Sequence, residues 1–293
     1  MKIGIIPNTT KQNIIETVEK ILISLRKYDV EAFLGDTILR LGKPESEIIK
    51  HTSIIAEPEL IAISDFVVSL GGDGTMLNTA FEVKDYDTPI LGVNVGKLGF
   101  LAEFDFDSFD SFIPDLINGN YIIQDRIALE AALNGGNEKL FALNDIVIDK
   151  GPWPKMIELD LSINGEFVAT FAADGLIIAT PTGSTGYSLS AGGPIVNPKS
   201  NVITIIPIAP HTLTMRPLVL DSNEEIIVEV KSGLEKIQIN CDGQRVNFIS
   251  PPLRIKIKRN SRPIRLVHSK EISYFQVLRN KLYWGIDARN NQN

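Results

Sequence analysis

Cysteine is almost missing from this chain of 293 residues: Cys241 stands alone. No internal disulfide can form, so the protein is expected to fold by its core in a reducing, cytoplasmic compartment. Histidine is scarce as well. His51, His211 and His268 are scattered and make no soft metal pattern, so each reads as structural. Positive charge is in deficit, with 29 Lys and Arg against 36 Asp and Glu and a formal charge of -7. That argues against a nucleic-acid partner, which would need a basic face to displace counterions. A small phosphorylated ligand stays compatible, because a pocket can be locally positive on an acidic protein. No apolar run approaches the ~18 residues that would span a membrane. The run after Met1 is stopped by Pro7-Asn8, too early for a leader. There is no internal repeat and no low-complexity stretch.

What is present is ordinary globular material, 44% hydrophobic and 22% charged. The first third alternates strand and helix patterns. Ile3 to Ile6 reads as a buried strand, and 11–28 as an amphipathic helix carrying Ile14, Val18, Ile21, Leu22 and Leu25 at helical spacing. Strands are expected at Val30 to Leu34, Phe66 to Leu70 and Pro89 to Val93. Helices are expected at about Met76 to Val83 and at Phe109 to Ile117. Such alternation implies a mostly parallel sheet covered on both faces.

After about residue 121 the segments become short, β-branched and alternating. Glu158 to Ile163 and Phe167 to Phe171 flank Asn164-Gly165, a hairpin signal. Val202 to Ile206, Glu225 to Val230, Lys236 to Asn240 and Leu253 to Ile257 read the same way. The expected division is 1–120 with 266–293, and a β-rich domain over 121–265. A last helix is expected over 274–282, ending at Gly285.

Chemistry concentrates in three places. Gly71-Gly72-Asp73-Gly74-Thr75 joins a buried strand to a helix. Glycines let an anion approach the main chain, and a helix N-terminus adds about half a positive charge. Asp73 is out of place beside a phosphate, unless it accepts a proton from an attacking hydroxyl or helps to hold a metal ion. The other reading is a simple helix cap. The second place is Ala173 to Pro194, where a buried strand leads into hydroxyls and glycines suited to the edges of a polar ligand. The third is Asn144-Asp145, an amide and a carboxylate inside an apolar run, read as a clamp on ribose hydroxyls or as a bulge bonded to backbone. Two motifs are absent. No Gly-x-Gly-x-x-Gly follows a strand, and Gly92 to Leu98 is one residue short of a P-loop. Gly183-Ser184-Thr185-Gly186 is not a hydrolase elbow.

Gly71 to Thr75, Asn144-Asp145, Asp174-Gly175 and Thr180 to Pro194, in this order, resemble the bacterial NAD kinase family. So do His211-Thr212-Leu213 before Arg216-Pro217, and the ending Val277-Leu278-Arg279 to Trp284-Gly285. The glycine turn alone is shared with lipid kinases and phosphofructokinase-like enzymes; the Thr-Pro-Thr-Gly-Ser-Thr run narrows the match. The resemblance implies a Rossmann-like α/β domain and a β-sandwich-like domain with the site between them, the last helix returning to the first. It implies transfer of the terminal phosphate of ATP to the 2′-hydroxyl of the adenosine ribose of NAD, a divalent metal such as magnesium, and a homo-oligomer, dimer or tetramer. By position it makes Asp73 the catalytic base beside Gly74, and Gly71, Gly72 and Thr75 the rest of the phosphate turn. Asn144, Asp145 and Asp174 would contact NAD, with Thr182, Thr185, Gly186, Tyr187, Ser188, Leu189 and Ser190 at the adenosine part. Phe100 would lie near the adenine, and Lys155, Ala209 and Gln244 at further contacts. Asp145 stands where the family commonly has Glu, Ala172 where many members have Arg, and Gly186 where Ala is common. The rival readings are a lipid kinase of the same superfamily and an NAD sensor without turnover. Asp73→Asn is expected to keep the fold and lose turnover.

Overall fold

The computed structural model describes residues 1–42, 46–96, 99–136 and 139–283. Lys97-Leu98 and the Trp284-Gly285 ending therefore lie outside the described residues. The chain divides into two compact units, 1–124 with 265–293, and 125–264.

The first unit opens with β1 (Lys2–Pro7), α1 (Ile14–Lys27), β2 (Glu31–Gly35), α2 (Glu47–Lys50) and β3 (Ser53–Ile55). It continues through α3 (Glu57–Ile63), β4 (Phe66–Gly71), α4 (Asp73–Val83), β5 (Ile90–Asn94), α5 (Phe106–Ile117) and β6 (Ile122–Arg126). β4 and β5 are buried at every position, as a parallel sheet covered on both faces requires. α1 starts three residues later than its apolar spacing alone predicts, because Asn13 is left-handed and ends the preceding turn. α5 starts earlier than expected, since Asp105 caps it by accepting the Ser108 N–H at 2.9 Å.

The second unit holds β7 (Leu129–Leu133), β8 (Lys139–Ala142), β9 (Asp145–Asp149), β10 (Ile157–Ile163), β11 (Glu166–Ala173) and β12 (Gly175–Ala179). After α6 (Tyr187–Ser190) come β13 (Val202–Ile208), β14 (Leu218–Asp221), β15 (Ile226–Lys231), β16 (Ile237–Cys241), β17 (Arg245–Ile249) and β18 (Leu253–Arg259). They form two six-stranded sheets, β11-β10-β15-β18-β7-β8 and β14-β13-β12-β9-β16-β17. One core joins them: Ile146, Ile148, Leu176 and Ile205 from one sheet, with Leu159, Val228, Val230 and Ile255 from the other. Each such side chain contributes roughly 1.5–3 kcal/mol on burial. The β10–β11 hairpin turns at Asn164-Gly165, both at positive φ, the conformation its two-residue turn demands.

The chain then returns with β19 (Ile264–His268) and α7 (Tyr274–Leu282). β19 completes the first sheet, whose order is β3-β2-β1-β4-β5-β19-β6. The order reverses between β1 and β4, the kind of point where open α/β sheets hold ligands at their strand C-terminal ends.

Candidate functional site

A polar cavity of about 410 Å³ lies in each unit. The first lies at the C-terminal end of β4 and is lined by Lys11, Gly72, Asp73, Asn94, Gly96, Gly99, Phe100 and Lys281, with Val95. Its floor is a tight turn. Thr75 Oγ1 accepts the Gly72 N–H at 3.3 Å and an Asn8 side-chain N–H at 2.9 Å. A Cβ on Gly71 would stand 2.0 Å from that hydroxyl, so only glycine fits there.

Asp73 is not the cap of its helix. α4 begins at Asp73 rather than Met76, and Gly72 occupies the cap position. The half-buried Asp73 carboxylate instead reaches a later segment. Oδ2 accepts the Phe100 N–H at 2.8 Å, and Oδ1 accepts those of Leu101 and Ala102 at 2.9 and 3.2 Å. Gly99 makes the wrap possible, because a Cβ there would stand 1.8 Å from Asp73 Oδ1.

The second cavity is lined by Asn144, Asp145, Val147, Asp149, Gly151, Tyr187, Gln238, Asn240, Asp242 and Gly243. The apolar strand expected to run through Asn144-Asp145 is broken there, and Asp145 opens β9. Leu143 and Asn144 form a bend between β8 and β9. Asp242, at φ 58, holds that bend. Its carboxylate accepts the N–H groups of Leu143, Asn144 and Asp145 at 3.0, 2.7 and 3.3 Å, and a guanidinium N–H of Arg245 at 2.6 Å. Burial pushes the Asp242 carboxyl up from its ordinary value, opposed by those N–H groups and by Arg245. Asp145, 4% exposed, is pushed up to about 7 by burial and by the charge of Asp242. Burial also raises Asp149, and burial followed by the Asp149, Asp145 and Asp174 charges raises the Tyr187 phenol. The Oδ1 atoms of Asn144 and Asn240 are buried without a hydrogen-bond donor among the described residues.

The hydroxyl-rich run divides between structure and surface. Thr180, fully buried, donates to the Leu143 carbonyl at 2.6 Å and accepts the Gly183 N–H at 3.1 Å. Ser184, also fully buried, donates to the Pro181 carbonyl at 2.7 Å. These two hydroxyls hold a 3-10 turn, Thr182–Thr185, and are unavailable to a ligand. A Cβ on Gly183 would stand 2.2 Å from the Asn144 carbonyl, so this turn packs directly on the 143–144 bend. The structure thus brings Asn144, Asp145 and Tyr187 to one cavity, with Gly186 beside them: a Cβ there would be 3.9 Å from Asp145 Oδ2. Thr182 and Ser188 are buried, Thr185 and Leu189 half-buried, Ser190 exposed. Lys155, Ala209 and Gln244 are exposed, on the 150–156 loop, after β13 and in the β16–β17 turn; none lines this cavity. Asp174 pairs with Lys150 at 2.7 Å. Ala172, half-buried in β11, accepts the His211 N–H on its carbonyl.

Asp242, Asn240, Gln238 and Asp149 went unread in the sequence. The signal was present: polar Gln238 and Asn240 alternate with buried Ile237, Ile239 and Cys241, which marks a strand with one ligand-accessible face. Lys11 and Lys281 supply the first cavity's cations and carried no local motif.

Residues 3–121 match the family model of the ATP-NAD kinase N-terminal domain, and residues 143–269 that of the ATP-NAD kinase C-terminal domain. An NAD kinase of Chlorobium phaeovibrioides is 40% identical over 292 residues, covering 98% of this chain and 100% of its own. One of Chloroherpeton thalassium is 37% identical over 287 residues, covering 97% and 98%. Among solved structures, yeast NADH kinase complexed with NADH superposes with a TM-score of 0.88 at 27% identity, covering 98% of this chain and 89% of that one. An NAD kinase from Archaeoglobus fulgidus in complex with ATP gives 0.76 at 27% identity, covering 97% and 99%.

Proposed function

The chain belongs to the NAD kinase family, and from that premise we propose that it transfers the terminal phosphate of ATP to the 2′-hydroxyl of the adenosine ribose of NAD, giving NADP and ADP. The observation that carries the reading is the wrapped Asp73 carboxylate at the glycine turn. A carboxylate offers about four acceptor positions. Three are taken by the N–H groups of residues 100–102, two at Oδ1 and one at Oδ2. The remaining position, on Oδ2, is the one we assign to the substrate proton. The ribose oxygen attacks the γ-phosphorus, the bond to the ADP oxygen breaks, and the hydroxyl proton passes to Asp73. Positioning and electrostatics supply most of such an acceleration. Lys11 and Lys281 give the first cavity positive charge for a phosphate tail. The second unit's cavity, with Asn144, Asp145 and Tyr187, would hold the dinucleotide; Gly74, Thr182, Asp174 and Phe100 remain proposed contacts.

Among the described residues no three of His, Cys, Asp and Glu cluster to hold a metal. Asp73, the one carboxylate lining the first cavity among the described residues, has three of its roughly four acceptor positions taken by backbone donors. That donor set fits an ion that arrives on the phosphates of ATP and keeps its waters, the habit of magnesium. When bound, such an ion spreads the phosphate charge. We place the protein in the cytoplasm, supported by its single buried cysteine. We also propose a homo-oligomer, supported by exposed Phe167, Val219 and Phe248 on β11, β14 and β17, which are edge strands of the two sheets. Neither a lipid kinase nor a sensor is favoured: the second cavity is lined by amides and carboxylates, which acyl chains would not fill.

Purified protein incubated with ATP, magnesium and NAD should form NADP, measured by an NADP-specific dehydrogenase. No NADP above a protein-free control, with bound ATP demonstrated, overturns the proposal.

A further inference from the structure

Glu103 and His268 form a nearly enclosed pair in the first unit that the proposed chemistry does not use. The Glu103 side chain is 8% exposed and that of His268 16%. Glu103 Oε2 accepts the His268 Nδ1–H, and Oε1 accepts the Ser269 N–H at 3.0 Å. A carboxylate enclosed this far is costly unless its oxygens are met, and here both are. Stability alone does not account for the pair, because apolar side chains of similar volume often hold a fold as well as a buried ion pair does. What such a pair fixes is geometry.

Its place decides which geometry. β4 covers one edge of β5 from Ile90 to Asn94. The other edge is filled in two pieces. β19 pairs there at Ile90, and Phe104 pairs at Val93. The Phe104 N–H donates to the Gly92 carbonyl at 3.2 Å, and its carbonyl accepts the Asn94 N–H at 2.7 Å. Residues 100–102 grip the Asp73 carboxylate, and Glu103 is the single residue between that grip and the Phe104 bridge. The Glu103 side chain ties this link to His268, the last residue of β19, and to Ser269 after it. The chain then reaches Ser273, whose hydroxyl accepts the Phe275 N–H at 3.3 Å and caps α7. α7 carries Lys281 to the wall of the first cavity.

We infer that Glu103, held by His268, is a positioning residue for phosphoryl transfer: it sets the 100–102 segment, and with it the open Oδ2 of Asp73, against the element that carries Lys281. The inference rests on the reading of Asp73 as the proton acceptor. Glu103 does not line the first cavity, so it acts through Asp73. Without the clasp the backbone bonds at Phe104 and Asp73 remain, so the segment keeps its fold and loses its placement. A 1 Å misplacement can cost ~10²-fold in rate, and a partial loosening costs less. The clasp lies wholly in the first unit, so binding of the dinucleotide in the second unit's cavity is spared.

The test is steady-state kinetics of the full chain with ATP, magnesium and NAD, followed by NADP formation. Glu103→Ala should lower kcat by ~10-fold and leave KM for NAD within ~3-fold. His268→Ala should do the same. His268→Asn keeps a side-chain N–H near the Nδ1 position and should stay within ~3-fold of wild type. The deciding readout is a double variant: Asp73→Asn with Glu103→Ala should turn over within ~3-fold of Asp73→Asn alone, because the clasp then has nothing left to position. Losses that multiply overturn the inference, as does a lower melting temperature with kcat unchanged in both alanine variants; either result leaves Asp73 as the base. Equal kcat for His268→Ala and His268→Asn overturns it as well. An Asp73→Asn protein with wild-type turnover removes the proton-acceptor reading itself, and this inference with it. If Glu103→Ala does not fold, the two His268 variants, alone and combined with Asp73→Asn, decide.

Discussion

The two units use one device for opposite ends. In each, an aspartate takes three consecutive backbone N–H groups from a distant segment: Asp73 those of 100–102, Asp242 those of 143–145. Asp242 is 6% exposed and adds Arg245, so its acceptor capacity is exhausted and its task is to hold a bend. Asp73 is half-buried at a cavity wall and keeps one acceptor position open. The same backbone grip is closed in one unit and left one bond short in the other. On the function proposed above, the difference between a structural and a reactive carboxylate lies in that one position, not in residue type.

The comparison is broken most severely at Asp73. Asp73→Asn should lower turnover by ~10² to 10⁴ at saturating substrates. This variant does more than delete a base: its Nδ2 must face at least one backbone N–H, so the 99–102 segment has to shift. Residual turnover within tenfold of wild type would show that neither the proton role nor the grip is needed. Gly99→Ala separates the two. It leaves every functional group in place but puts a methyl 1.8 Å from Asp73 Oδ1. Turnover should fall by ~10² through misplacement alone, with an unchanged circular dichroism spectrum. Asp242→Asn should have the smallest effect on kcat. It removes the charge that pairs with Arg245 and leaves one backbone N–H without its acceptor, at a cost on the order of 1–3 kcal/mol. A lower melting temperature and a raised KM for NAD, with kcat within ~3-fold, would mark the closed grip as a holder of the dinucleotide cavity. A larger fall in kcat than in KM would count against that division of labour.

The central strands and the glycine turn were legible because their signals are local. An unbroken apolar run, Phe66 to Leu70, followed by Gly71-Gly72, announces a buried strand and a tight exit without reference to any other part of the chain. Asp73 could be singled out for the same reason, but not its partners, which lie 27 to 29 positions away. Asp242 was illegible for the same cause at longer range. It acts on residues 97 to 99 positions earlier, brought near by the antiparallel β9–β16 pairing. Thr180 and Ser184 show the opposite error. Their composition reads as ligand-facing, yet burial turned them onto neighbouring carbonyls, and nothing in a run of hydroxyls announces which will be enclosed. Edge strands such as β3, β14 and β17 escaped notice because they are short or carry exposed apolar residues out of alternation.

The place of β19 in its sheet has a consequence for biosynthesis. It lies between β5 and β6, yet it is made after the whole of the second unit. A nascent chain that has emerged as far as Ile264 has its β-rich unit complete while the first sheet still has a gap one strand wide. β6 waits beside that gap without a neighbour, and α7, which brings Lys281 to the nucleotide turn, does not yet exist. The order of synthesis is therefore set by topology: the first sheet closes only after the second unit has been made.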